Sequence, residues 1–343
     1  MASERMSGMT LRMDIEVGSS TAEEGELGSI LSCVGAVTRR CGGGCRWLGI
    51  LCGVLDGAGG YAATRGAYVS KATLGDIMHI SRPAPDIAEL TDVIAIPGLG
   101  FLPVNAYVVY AREPVLIDTG LRASSPDFLD ELWSLVEPDD LRWVYLTHPD
   151  HTGSIFEILA TARDALLVTS LSGLGLLSLE HRVPRERVFV LNPGERLDVG
   201  DRRLMAFRPP LRDNPATTGL IDELTGACFG SDCFGAPMTS GDLVQSEDVA
   251  AVPDDERVAG ERLWTAADTP RPADMDRDAY LSGLAWLRDV DPSVVLGGHL
   301  TPAHFRVEAV FDTLADARDA PSHMGPDELG FRRTLAGMEP TRI

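Results

Sequence analysis

Residues 147–153 read Thr-His-Pro-Asp-His-Thr-Gly and place His148, Asp150 and His151 within four positions, directly after the apolar run Trp143-Val144-Tyr145-Leu146. A strand that ends in two imidazoles and a carboxylate, then turns at Gly153 into an amphipathic segment, can aim all three side chains at one point. Imidazole nitrogen and carboxylate oxygen together suit Zn²⁺, Fe or Mn²⁺. A histidine pair on its own is more often a surface or core feature, but three further segments also end strands in potential ligands. In Arg208-Pro-Pro-Leu-Arg-Asp213-Asn-Pro the prolines stiffen a loop around Asp213. In Cys228-Phe-Gly-Ser-Asp232-Cys-Phe-Gly an aspartate follows an apolar strand, and in Leu296-Gly-Gly-His299 two glycines allow His299 a close approach. Singly, Asp213 reads as a solvated loop acid, Asp232 as a turn or cap and His299 as a helix-start residue. Four such loops in one chain point instead to a metal centre.

The elements that must position these loops are legible from residue 76 onward. Strands are expected at Val93–Ile96, Asn105–Tyr110, Pro114–Ile117, Trp143–Leu146, Leu166–Val168 and Val188–Leu191. A second series follows at Leu204–Phe207, Thr218–Ile221, Ala227–Gly230 and Val294–Leu296. Ser125-Pro126-Asp127 opens a helix with a capping hydroxyl, a first-turn proline and an early acid, and Phe128, Leu129, Leu132, Trp133 and Val136 give it an apolar face. Helices are also expected over Ile155–Ala162, Asp276–Val290 and Pro302–Ala317, whereas residues 240–275, acidic and rich in Pro, Gly and Asp, read as a long surface loop. Strand clusters alternating with helices in both halves imply two sheets between helical layers.

Residues 1–75 differ from the rest. They hold 15 of the 35 glycines and four of the six cysteines without periodic patterning, and read as a flexible extension. The remainder divides into a domain over 76–320 and a tail over 321–343. Cys41-Gly-Gly-Gly-Cys45 has a loose spacing for zinc and no accompanying histidine. The net charge of −21 lies wholly beyond residue 75, since the extension carries seven bases and seven acids. Such a body repels phosphate backbones and anionic lipid, which excludes nucleic acid and membrane surfaces as partners. No run is long and apolar enough to span a bilayer, and early acids interrupt any signal-peptide pattern, so a cytoplasmic protein with reduced thiols is expected.

Between residues 93 and 317 the chain resembles the metallo-β-lactamase superfamily. The resemblance rests on Val104-Asn105-Ala106-Tyr107, Leu116-Ile117-Asp118-Thr119-Gly120, the Thr147–Gly153 motif, Gly230-Ser231-Asp232 and Gly297-Gly298-His299. It implies an αββα sandwich, an α/β fold with a dinuclear site at one edge of the two sheets. Within the superfamily, Pro210-Leu-Arg-Asp213 and Asp232-Cys-Phe-Gly are most similar to the oxygen-binding di-iron domain of flavodiiron proteins. The family motif H-x-[HED]-x-D-H ends here in Asp150-His151. Without a gap, His148 falls on the middle ligand position and Leu146 on the first; with a two-residue deletion, His148 is the first ligand and the middle one is absent. The family's next histidine is replaced by Arg212 and Asp213, and Asp213 is the implied substitute because a guanidinium has no lone pair to give. Arg212 either faces the site, where it would attract anions, or points to solvent. Asp232 would bridge two metals and His299 would be the last ligand.

The implied ligands are therefore His148, Asp150, His151, Asp213, Asp232 and His299, short of a standard dinuclear set, so that one metal is weakly held or water fills the gaps. A carboxylate-rich set favours Fe or Mn, with Zn²⁺ the alternative. Superfamily breadth ranks a metal-dependent hydrolase first, using metal-activated water oriented by Asp150 or Asp232 on a small-molecule substrate. The alternatives are a di-iron oxidoreductase acting on O₂ or NO and a metal-poor, non-catalytic sensor. The flavodiiron relatives carry a flavin domain after the metal domain. Only 44 residues follow His299, so a redox reading calls for a separate electron donor. A homodimer is compatible with the sequence.

Overall fold

The computed structural model of the chain describes residues 78–269, 275–319, 323 and 325–337. The extension expected over 1–75, with Cys41 and Cys45, lies outside the described residues. Seven strands form the first sheet in chain order: β1 (His79–Ala84), β2 (Ile87–Ile96), β3 (Gly100–Val109), β4 (Val115–Ile117), β5 (Trp143–Tyr145), β6 (Leu166–Thr169) and β7 (Val188–Val190). β1 to β4 pair antiparallel and β4 to β7 parallel. Each parallel step needs a crossover, supplied by α1 (Ser125–Leu135), α2 (Ile155–Thr161) and α3 (Leu171–Glu180). The second sheet contains β8 (Arg196–Asp198), β9 (Arg203–Phe207), β10 (Gly219–Asp222), β11 (Ala227–Gly235) and β12 (Val294–His299), in the order β12-β11-β10-β9-β8. Only its β11–β12 pair is parallel, and that long crossover contains α4 (Gly241–Val244), α5 (Asp254–Asp268) and α6 (Arg277–Val290). α7 (Val307–Ala317) and α8 (Glu328–Gly337) follow.

Strand alternation sorts side chains into three apolar layers. Along β3, Tyr107 and Val109 face the second sheet while Ala106 and Val108 face helices. Along β12, Val294 and Leu296 enter the space between the sheets and Val295 packs outward. The inter-sheet layer joins Ile117, Tyr145 and Val168 to Leu204, Leu220 and Phe229. Phe128 and Leu132 of α1, with Ile155 and Ile158 of α2, cover the outside of the first sheet. Leu284 and Leu287 of α6, with Phe311 and Leu314 of α7, cover the second. This is the αββα sandwich.

Three expectations need correction. Residues 240–275 are not a long loop, because α5 crosses them for 15 residues. Its buried stripe runs Arg257, Gly260, Glu261, Trp264, Thr265 and Asp268, a helical spacing made largely of polar side chains and therefore invisible to a search for apolar periodicity. Arg257 and Glu261 pair within that stripe at 2.6 Å. At α1, Ser125 is the first helical residue and not a cap, and Ser124 in the cap position makes no capping bond and donates to Asp92 instead. β11 also continues past Gly230 to Gly235, so Asp232 sits inside a strand.

Candidate metal centre

At the C-terminal edge of the parallel strands, the chain after β5 leaves the sheet with His148 still extended and then closes a single 3₁₀ turn over Pro149–His151. Its entry is pinned from β4. Asp118, in the left-handed region at φ 60°, accepts from the Thr147 amide at 2.9 Å and from the Thr147 hydroxyl at 2.9 and 3.1 Å. β11 supplies Asp232 just after a register irregularity at Ser231, another left-handed residue at φ 53°. A bulge of this kind re-aims the next side chain. β12 ends in His299, and its two glycines do allow the close approach expected of them. A Cβ on Gly298 would lie 2.9 Å from Asp232 Oδ1 and 3.0 Å from the His151 ring, and one on Gly297 would lie 2.4 Å from the Phe234 carbonyl.

The buried Asp232 carboxylate is the centre of the cluster. Its Oδ2 stands 3.2 Å from His148 Nε2, and its Oδ1 stands 3.5 Å from His151 Nε2 and 3.4 Å from His299 Nε2. The last two nitrogens are 3.4 Å apart. Each ring is oriented from behind. His151 Nδ1 meets Asp118 Oδ2 at 3.0 Å and His299 Nδ1 meets the Pro103 carbonyl at 2.8 Å. A carbonyl only accepts, so His299 carries its proton on Nδ1 and turns the Nε2 lone pair inward. His148 Nδ1 lies 3.1 Å from the Thr147 hydroxyl and 3.3 Å from that of Ser231.

The charges within this cluster are strongly perturbed. Burial alone would raise the Asp232 carboxyl, but the three imidazoles around it hold it well below the usual range. Burial lowers His148 and His151, yet Asp232 acting on the first, and Asp118 with Asp232 on the second, bring both above their ordinary value. His299 is pulled down to about 4, first by burial, and is a neutral imidazole at pH 7. Asp213 is raised by burial and by Asp232.

The structure brings the six sequence candidates into one neighbourhood, though not equally. His148, His151 and Asp232 form a group whose ligand atoms all lie within 4.8 Å, and His148, Asp150 and Asp213 form another. Asp150 is solvent-exposed at the rim. Asp213 turns toward Asp232 and Asp268, while the part-buried Arg212 guanidinium donates to the Pro209 carbonyl at 3.1 Å. Two acids missed by sequence reasoning join them. Asp118 holds both Thr147 and His151, and its signal was the Asp-Thr-Gly that directly follows β4. Asp268, at the end of α5, groups with Asp213 and Asp232 within 4.8 Å and is raised well above the ordinary carboxyl range by burial and then by those two neighbours. Ionised carboxylates this close repel by about 3 kcal/mol or more at an effective dielectric near 20. Asp232 Oδ1 and both Asp268 oxygens are buried without a hydrogen-bond partner. Converging acids, inward lone pairs and orphaned oxygens together fit divalent cations.

The sequence model of the metallo-beta-lactamase superfamily matches residues 99–276. Type A flavoprotein fprA of Rhodobacter capsulatus is 32% identical over 144 residues, covering 40% of this chain and 33% of that protein. The anaerobic nitric oxide reductase flavorubredoxin of Salmonella typhi is 26% identical over 136 residues, 38% of this chain and 28% of its own. Among solved structures, the rubredoxin oxygen:oxidoreductase of Desulfovibrio gigas aligns with a TM-score of 0.61 at 15% identity, over 71% of this chain and 62% of that one. The chain thus spans a third or less of these two curated relatives.

Proposed function

The chain belongs to the metallo-β-lactamase superfamily, and from that premise we propose that its buried cluster holds two irons and reduces O₂ or NO with electrons from a separate donor. The observation that carries this reading is the position of Asp232, with His148 on one oxygen and His151 and His299 on the other. A carboxylate so flanked is suited to bridge a metal pair. Carboxylates match or outnumber imidazoles around it, a donor set harder than zinc prefers. Two matched relatives, a nitric oxide reductase and a rubredoxin oxygen:oxidoreductase, support redox chemistry. Neither speaks for the hydrolytic reading that the sequence ranked first.

Two irons bound there would supply the redox centre at which O₂ or NO is reduced. The chain's own residues hold and orient them. His148, His151 and His299 offer Nε2, while Asp118 and the Pro103 carbonyl fix the rings of His151 and His299 from the far side, the usual second-sphere arrangement at histidine sites. Burial of all three rings keeps bulk water from the cluster. Asp150, exposed beside His148 and Asp213, would pass protons between solvent and the site.

The test is elemental analysis of the purified full chain, followed by anaerobic chemical reduction and exposure to O₂ or NO. About two irons per chain and rapid reoxidation by one of the gases are expected. His151→Ala should lose most of the metal while keeping the far-ultraviolet circular dichroism of the parent. A protein that carries zinc and consumes neither gas would sink the proposal.

A further inference from the structure

We propose that Asp268 is itself a metal ligand, contributed by a helix and not by the strands and strand-end loops that bear the other candidates. It rests on the dinuclear reading above and assigns the donors of one of its two positions. Asp268 is 5% exposed, yet neither carboxylate oxygen has a hydrogen-bond partner. It also ends α5, where the negative pole of the helix dipole disfavours an acid. Burial, lack of partners and the helix end all work against this residue as a structural device, and a cation among Asp213, Asp232 and Asp268 removes all three objections at once.

The helix is anchored for this purpose one turn earlier. Trp264 Nε1 donates to the Asp232 carbonyl at 2.8 Å and its ring lies 4.6 Å from that of His299. Residues four apart share a helix face, so the contact that seats Trp264 also directs Asp268 inward. The Thr147–Gly153 motif is one ligand short on either alignment, and the loop position occupied by Arg212 supplies no donor. Asp268 makes up the deficit: with Asp213 and Asp232 it would hold one metal, while His148 and His151 with Asp232 would hold the other. The first position, built of carboxylates, favours Fe²⁺ or Mn²⁺ over Zn²⁺ more strongly than the second.

The experiment uses the full chain, stripped of metal and titrated anaerobically with ferrous iron alone, with bound iron measured after gel filtration and the melting midpoint recorded with and without iron. Wild type should retain about two irons and Asp268→Asn about one, with a correspondingly smaller iron-induced rise in midpoint. Metal-free Asp268→Asn should melt no lower than metal-free wild type, because the substitution relieves a buried, unpartnered acid. If the amide variant does not fold, Asp268→Ser, smaller and also uncharged, takes its place. Two irons retained in the variant with an unchanged rise would overturn the assignment of Asp268 and leave the dinuclear reading standing. Failure of wild type to take up iron would overturn both.

Discussion

At the scale of single residues, the site depends on the absence of side chains as much as on their presence. Gly298 lies so close to Asp232 Oδ1 and the His151 ring that a methyl group would have to displace one of them. Gly298→Ala should therefore release a large part of the bound metal, read by elemental analysis, while the secondary structure by circular dichroism stays that of the parent. Full metal content in the variant would show that the ligands have more freedom than the geometry allows. The strand-end motifs made His148, Asp150, His151, Asp213, Asp232 and His299 legible in the sequence because each follows an apolar run with turn residues beside it. Asp118 lies in a segment that carries the family resemblance, but an aspartate after a strand shows nothing locally of the Thr147 and His151 groups that it holds. Asp268 was passed over for a different reason: it lies among many acids in residues 240–275, and nothing local separates a buried aspartate from a solvated one.

At the scale of elements, alternation and flanking turns located most strands, and the physical exceptions are specific. β1 carries Arg82 and Pro83, which weaken a strand pattern, and α3 contains Gly173 and Gly175, which lower helix propensity. α3 is held instead by Ser170, whose hydroxyl accepts from the Gly173 amide at 3.0 Å. α5 was hidden because its inward face is polar. That face also gives it a measurable job. Trp264→Phe keeps the ring but removes the N–H that satisfies the buried Asp232 carbonyl, at a cost of about 1–3 kcal/mol. The denaturant midpoint should fall accordingly without a change in slope, and metal retention should weaken alongside it. Stability equal to the parent would mean that α5 is not held through this bond.

At the scale of the whole molecule, the two sheets are tied at both ends by different chemistry. Away from the metal cluster, the nearly buried Arg202 bridges Asp86 in the β1–β2 turn and Asp222 at the end of β10, the latter at 3.0 Å. Arg202→Leu leaves the fully buried Asp222 without its cation, and losing one partner of a buried pair costs about 3–5 kcal/mol. Thermal unfolding should register that loss, whereas metal content of the folded fraction should be unchanged; a variant that loses metal but not stability would contradict this division. At the other end, no covalent link joins the groups that meet. His151 and His299 stand 148 positions apart in the chain and come from different sheets. On the ribosome, the earlier histidine therefore waits through nearly half of synthesis for its counterpart, and the cluster cannot be complete in a nascent chain until β12 has emerged and docked. Loading is then the final event of maturation. If the proposed metal is bound, chains that lack it would keep their clustered acids uncompensated at the junction between the sheets, and the lifetime of the protein would follow the supply of metal.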